Sequence, residues 1–153
     1  MRIKDILSRS CIRGQLESTE KEGVIREMAS LIASAHPEIS QEDIIRVLME
    51  RESLGSTGIG NGVAIPHGKL SSLSNIMTGF GRSLKGIPFD SQDAKPAHLF
   101  FVLIAPENAA SLHLKALARL SRLLKDAHFR NKLIEAPDED ALYRDIITED
   151  EKF

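Results

Sequence analysis

The chain has 153 residues with 20 basic and 22 acidic side chains, a formal charge of −2, and is long enough to bury a core without a disulfide or structural metal. The charges are scattered, which excludes a nucleic-acid binder held mainly by phosphate contacts and points to small molecules or proteins as partners. A lone Cys11, a start without an apolar signal core, and a longest apolar run (Leu99 to Ala105) far short of the ~20 residues of a membrane helix set the expectation of a cytoplasmic protein that is not membrane-inserted.

In chain order, a first strand is expected around Cys11 to Leu16. Thr19 and Glu22 have capping-box spacing ahead of Val24, Met28, Leu31 and Ala35, so a helix follows and ends at His36-Pro37. Ser40 and Asp43 open a second helix whose apolar stripe is Ile44, Ile45, Leu48 and Met49, with Arg51 near its end. A glycine-rich stretch leads into a strand at Val63 to Ile65. Two further strands are expected at Ile76 to Arg82 and Leu99 to Ile104, separated by a piece containing Gly86, Pro88 and Pro96; the second is apolar on both faces, as a central strand should be. Helical spacing returns over Ala110 to Lys125, Phe129 to Glu135 and Glu139 to Ile147, and Glu149 to Phe153 reads as a frayed tail. The alternation predicts one α/β domain over residues 1–153, without repeats or linkers.

The segment Glu52 to Gly68 carries the chemistry. Pro66 lacks an N–H and pushes Ile65 toward extended geometry, so His67 is expected to project from the end of the strand. The glycines at 55, 58, 60, 62 and 68 would let the backbone approach a group on that imidazole. Their spacing fits neither a dinucleotide fingerprint nor a Walker loop, which rejects a nucleotide-binding loop. His36, His98 and His128 read as structural residues: a helix end, the start of a buried strand and a charged connection. No metal-ligand spacing occurs, so no metal or cofactor is expected. His113 falls in the first turn of a helix, where unpaired N–H groups and a positive dipole end suit phosphate. A half-buried structural histidine is the plain alternative. Arg51 is either a solvated helix-end charge or a clamp whose planar fork matches phosphoryl oxygens. Ser56 and Thr57 could donate to an anion or stabilise local turns.

These residues resemble the active-site signature of the fructose- and mannitol-type enzyme IIA domains of the bacterial phosphotransferase system. Glu52 stands six residues before Ile59-Gly60, then two free positions precede Val63-Ala64-Ile65-Pro66-His67-Gly68. The variant loop looks most like the nitrogen-regulatory member of that family. The resemblance implies a mixed, mainly parallel sheet flanked by helices, with His67 as the phosphorylated histidine and His113 and Arg51 as its active-site companions. Ser56, Thr57 and Gly68 are candidates for the phosphate loop. It further implies an HPr-like phosphocarrier protein as donor and regulatory targets such as potassium-transport or sensor-kinase proteins.

An attacking imidazole must be neutral, and burial favours that state. In the family the attacked nitrogen is Nε2, which leaves Nδ1–H for a backbone carbonyl. A free-standing sugar IIA handing phosphate to a IIB domain would use the same chemistry; the absence of a fused IIB or membrane segment argues against it. Outside that class stand a histidine-based phosphohydrolase and a non-catalytic binding module. A long-lived phosphoprotein excludes the first, and phosphate uptake from a carrier excludes the second.

Overall fold

The computed structural model describes residues 1–153. A single 3-10 turn, Ile3–Asp5, precedes β1 (Leu7–Arg13), α1 (Lys21–Ala35) and α2 (Gln41–Ser53). Three short strands follow, β2 (Gly58–Gly60), β3 (Val63–Ala64) and β4 (His67–Leu70), then two long ones, β5 (Met77–Ile87) and β6 (Ala97–Pro106). The chain closes with α3 (Ala110–Leu123), α4 (Ala127–Glu135) and α5 (Glu139–Asp150).

The sheet runs β1-β5-β6-β3-β2, with β4 also paired to β6. Pairings β1–β5, β3–β6 and β4–β6 are parallel, while β5–β6 and β2–β3 are antiparallel, so the sheet is mixed and mainly parallel, as expected. Almost every residue of β6 is buried, which its apolar run on both faces dictates. Val24, Ile25, Met28, Ala29 and Ile32 turn one face of α1 inward, and Ile44, Ile45 and Leu48 do the same for α2. Phe80 and Phe101 meet in the core at 4.9 Å between ring centres.

Several expectations change in detail. The Thr19–Glu22 capping box does not form: α1 starts after Glu20 with no side-chain cap, and Glu27 instead reaches back to accept the N–H groups of Glu17 and Ser18. β1 begins earlier than Cys11, because its pairing with β5 starts at Leu7↔Thr78. The anticipated tail is also wrong at its first residues. α5 continues to Asp150, whose buried carboxylate accepts the N–H of Ile3 at 2.8 Å and the Arg119 guanidinium. His128 lies within α4 rather than in a connection, just after the capping Asp126.

The largest difference concerns Pro66. It does end β3, yet the chain resumes the same course and β4 pairs with β6 from His67↔Leu103 to Leu70↔Pro106. The pairing lapses over two positions, Ile65 and the proline that lacks an N–H, while the Pro66 carbonyl still accepts from Leu103 at 3.0 Å. His67 therefore opens a strand instead of trailing one.

Candidate functional site

The C-terminal part of α2, the strand β4 and the start of α3 enclose a cleft of about 530 Å³. His67, Lys69, Arg51, Glu50 and His113 supply its polar lining, and Val47, Leu54, Leu114 and Leu117 much of the remainder. The three residues singled out from sequence thus converge from three elements separated along the chain.

His67 is partly buried, and its Nδ1 lies 2.8 Å from the carbonyl oxygen of Ile65. A carbonyl can only accept, so Nδ1 carries the proton and Nε2 presents its lone pair. Burial is the largest influence lowering the pKa of His67 from its ordinary 6.5, and the positive charges of Arg51 and Lys69 act in the same direction. The Ile65 hydrogen bond and the charge of Glu52 oppose them. The balance leaves a neutral imidazole near neutral pH, the form a nucleophile requires.

His113 sits one turn into α3 and is 5% exposed. Both ring nitrogens are buried without a hydrogen-bond partner. Leaving such groups unpaired costs about 1–3 kcal/mol, a penalty that a hydrogen-bonding guest in the cleft would relieve. Burial first, then the charges of His67 and Lys69, push its pKa down to about 4. α3 has no side-chain cap, and its first helical hydrogen bond runs from His113 N–H to Ala109 at 2.9 Å. The N–H groups of Ala110, Ser111 and Leu112 precede that bond, and Ala110 borders the cleft.

Arg51 donates from Nη1 to the carbonyl of Gly55 at 2.9 Å, a bond to its own helix end that leaves the rest of the guanidinium fork available. Gly68 lines the cleft floor beside His67. A Cβ on it would stand 2.8 Å from Cγ2 of Val47, so glycine here permits the close approach of α2 to β4.

Ser56 and Thr57 stand elsewhere. The Ser56 hydroxyl donates to the Phe89 carbonyl and the Thr57 hydroxyl to the Glu52 carboxylate, and neither borders the cleft. Nor do Gly58, Gly60 and Gly62, which build the β2–β3 hairpin; Gly60, Asn61 and Gly62 all take positive φ there. The Ser56 hydroxyl also accepts the Gly58 N–H at 3.0 Å, a local bond beside its distant one to Phe89, while the Thr57 hydroxyl bonds only locally, to Glu52. Several residues of the cleft, Glu50, Lys69 and Ala110 among them, carry no role in the sequence reading. Lys69 was legible in principle, because strand alternation puts it on the same face as His67. Ala110 carries no signal, since its contribution is a backbone N–H.

The chain belongs to the phosphoenolpyruvate-dependent sugar phosphotransferase system EIIA 2 family, whose model matches residues 5–149. It is thus a phosphotransferase component of the enzyme IIA class. Among its relatives, the fructose-specific EIIABC component of Bacillus subtilis is 43% identical over 152 residues, 99% of this chain but 24% of that protein. A nitrogen regulatory protein of Bradyrhizobium diazoefficiens is 41% identical over 94% of this chain and 93% of its own length. The crystal structure of the nitrogen regulatory protein IIA-Ntr from Neisseria meningitidis superposes with a TM-score of 0.88 at 33% identity, covering 94% of this chain and 98% of that one. No helix is long and apolar enough to cross a membrane.

Proposed function

We propose that His67 accepts a phosphoryl group from the phosphohistidine of an HPr-like carrier protein, and that the resulting phosphoprotein serves nitrogen-branch regulation. The observation that carries this reading is the free Nε2 of His67 facing a cleft shared with Arg51 and an unpaired His113. In the transfer, the P–N bond to the carrier breaks as the P–Nε2 bond to His67 forms, and the carrier imidazole leaves with its electron pair. Nδ1 keeps its proton throughout, bonded to Ile65. Negative charge spread over the equatorial oxygens meets Arg51, His113 and the leading N–H groups of α3, which act as donors already in position.

The nitrogen-regulatory branch is supported by the relatives so named and by the IIA-Ntr neighbour at 33% identity. Phosphorylation adds about −1.5 to −2 charges at the cleft, enough to bias docking of regulatory targets such as potassium-transport or sensor-kinase proteins. A second reading, a sugar IIA that passes phosphate to a IIB domain, is favoured by the 43% identity to the fructose-specific protein.

Incubation with phosphoenolpyruvate, enzyme I and a carrier, followed by intact-mass measurement, tests the reaction. The expected result is one acid-labile phosphoryl group, absent from His67→Ala and persistent once formed. Uptake at the normal rate by His67→Ala overturns the assignment, and rapid loss to water points to a phosphohydrolase. Onward transfer to a fructose or mannitol IIB selects the sugar branch.

A further inference from the structure

Glu52 occupies a place that elementary electrostatics disfavours. It lies in the last turn of α2, where the helix dipole presents its negative end, and its side chain is 3% exposed. A carboxylate buried there is tolerated only when fully engaged. Its Oε1 accepts the Thr57 N–H at 3.0 Å and also the Thr57 hydroxyl, and its Oε2 meets the Lys21 ammonium at 2.8 Å. Lys21 is itself fixed from the side of α1, 4.8 Å above the Phe89 ring and 3.4 Å from Asp90.

The chain of contacts continues toward His67. The Thr57 carbonyl accepts the Ile65 N–H at 3.0 Å, and the Ile65 carbonyl receives Nδ1–H of His67 at 2.8 Å. One peptide turn, pinned at Thr57, therefore holds the residue whose carbonyl selects the tautomer of the imidazole. Glu52 itself lies outside the cleft lining.

We infer that Glu52, braced by Lys21, is a positioning residue: through Thr57 and Ile65 it holds His67 in the Nδ1–H tautomer with Nε2 facing the cleft. The inference rests on His67 being the phosphoryl acceptor. Glu52 touches no reacting atom; it acts through the backbone of another strand. Its charge also faces His67 together with Arg51, Lys69 and His113, and it is the acidic member of that set that raises the His67 pKa.

The test uses Glu52→Gln, Thr57→Val and Thr57→Ser in the full chain, with Glu27→Gln as a control. Glu27 is a comparable carboxylate clamp on the Glu17–Ser18 loop and does not border the cleft. Nitrogen NMR of the unphosphorylated protein reads the His67 tautomer and titration, and phosphorylation by the carrier gives kcat and KM. In Glu52→Gln and Thr57→Val, the proton on His67 should shift toward Nε2, with kcat reduced about tenfold or more at unchanged KM, the scale of a small misplacement of a reacting group. Glu52→Gln should also lower the His67 pKa further. Thr57→Ser should restore the parent signals, and Glu27→Gln should lower stability without moving them. If both variants keep the parent tautomer and titration, or if Glu27→Gln shifts them equally, Glu52 has no positioning role. The spectra require no phosphate, so they report on this inference even if His67→Ala shows the acceptor to lie elsewhere.

Discussion

The imidazoles of His67 and His113 meet edge to face, with 5.4 Å between ring centres and 86° between planes. One ring has its Nδ1 bonded to a carbonyl, while the other has both nitrogens unpaired. On the proposed function, this asymmetry makes the fixed ring the nucleophile and leaves donor work to the free one. Replacing His67 should therefore abolish phosphorylation, whereas His113→Ala should leave a slow acceptor. Loss of one preorganised donor corresponds to about a 10²-fold fall in kcat. Single-turnover transfer from the phosphorylated carrier separates the two outcomes.

Arg51 should behave as a reagent and not as a support. The hydrogen bond of its side chain is to Gly55 in its own helix end, so Arg51→Ala should change the melting temperature little while slowing transfer. Arg51→Lys should rescue poorly, because an ammonium lacks the planar fork. Thermal unfolding beside single-turnover kinetics checks both statements, and an equal loss in stability and rate restores a merely structural Arg51.

Acid should reveal His113 as a linkage site. Its folded-state pKa of about 4 lies below the ordinary 6.5, so between those values the unfolded chain binds more protons. The neutral imidazole imposes no such penalty above pH 6.5; stability then falls as pH drops toward 4, by on the order of 2–3 kcal/mol. His113→Leu should lose this part of the slope in urea titrations compared at several pH values. His67 is lowered in the same sense, so the transfer rate should stay level somewhat below pH 6.5 before declining. The groups facing it are Arg51, Glu52, Lys69 and His113, and His113, with its pKa pushed down to about 4, stays neutral in that window.

Arg82 should be among the most costly residues to replace. It is 6% exposed, and it donates to Gly14 at the end of β1 and to Leu133, Ile134 and Ala136 at the end of α4. A cation there answers the negative end of a helix dipole and satisfies carbonyls that would otherwise be orphaned. Arg82→Met should cost about 3 kcal/mol or more in urea unfolding while leaving the cleft chemistry intact in the folded fraction. A cost under 1 kcal/mol would mean that water replaces the guanidinium.

The elements with strong periodicity were readable from sequence, and so was the segment that brings His67 to the cleft. β6 announced itself by seven apolar residues in a row, and Ser40 capped α2 through Asp43 N–H as its spacing suggested. Thr19 and Glu22 misled because α1 takes Glu20 as its N-cap, one position later than the spacing implies, while Glu27 holds the preceding loop through the Glu17 and Ser18 N–H groups. The tail misled because Asp150 finds Arg119 and Ile3 N–H, one of them 147 positions away, and no local pattern encodes such a partner. For the site, a match to a signature brought His67 into view and the wider family resemblance Arg51 and His113, but neither could separate loop residues that touch the cleft from those that only shape the turn. Ser56 and Thr57 differ from Gly68 in the partners they meet in three dimensions, which the motif does not encode.

The closing glycine of the signature has its cause outside the signature. Gly68 is small because Val47, on a neighbouring helix, leaves no room for a methyl group against β4. The spacing between the imidazole and the guanidinium is consequently a shared property of strand and helix. Transplanting the segment from Arg51 to Gly68 into another sheet would carry over both side chains without the helix seat at Val47 that gives them their separation.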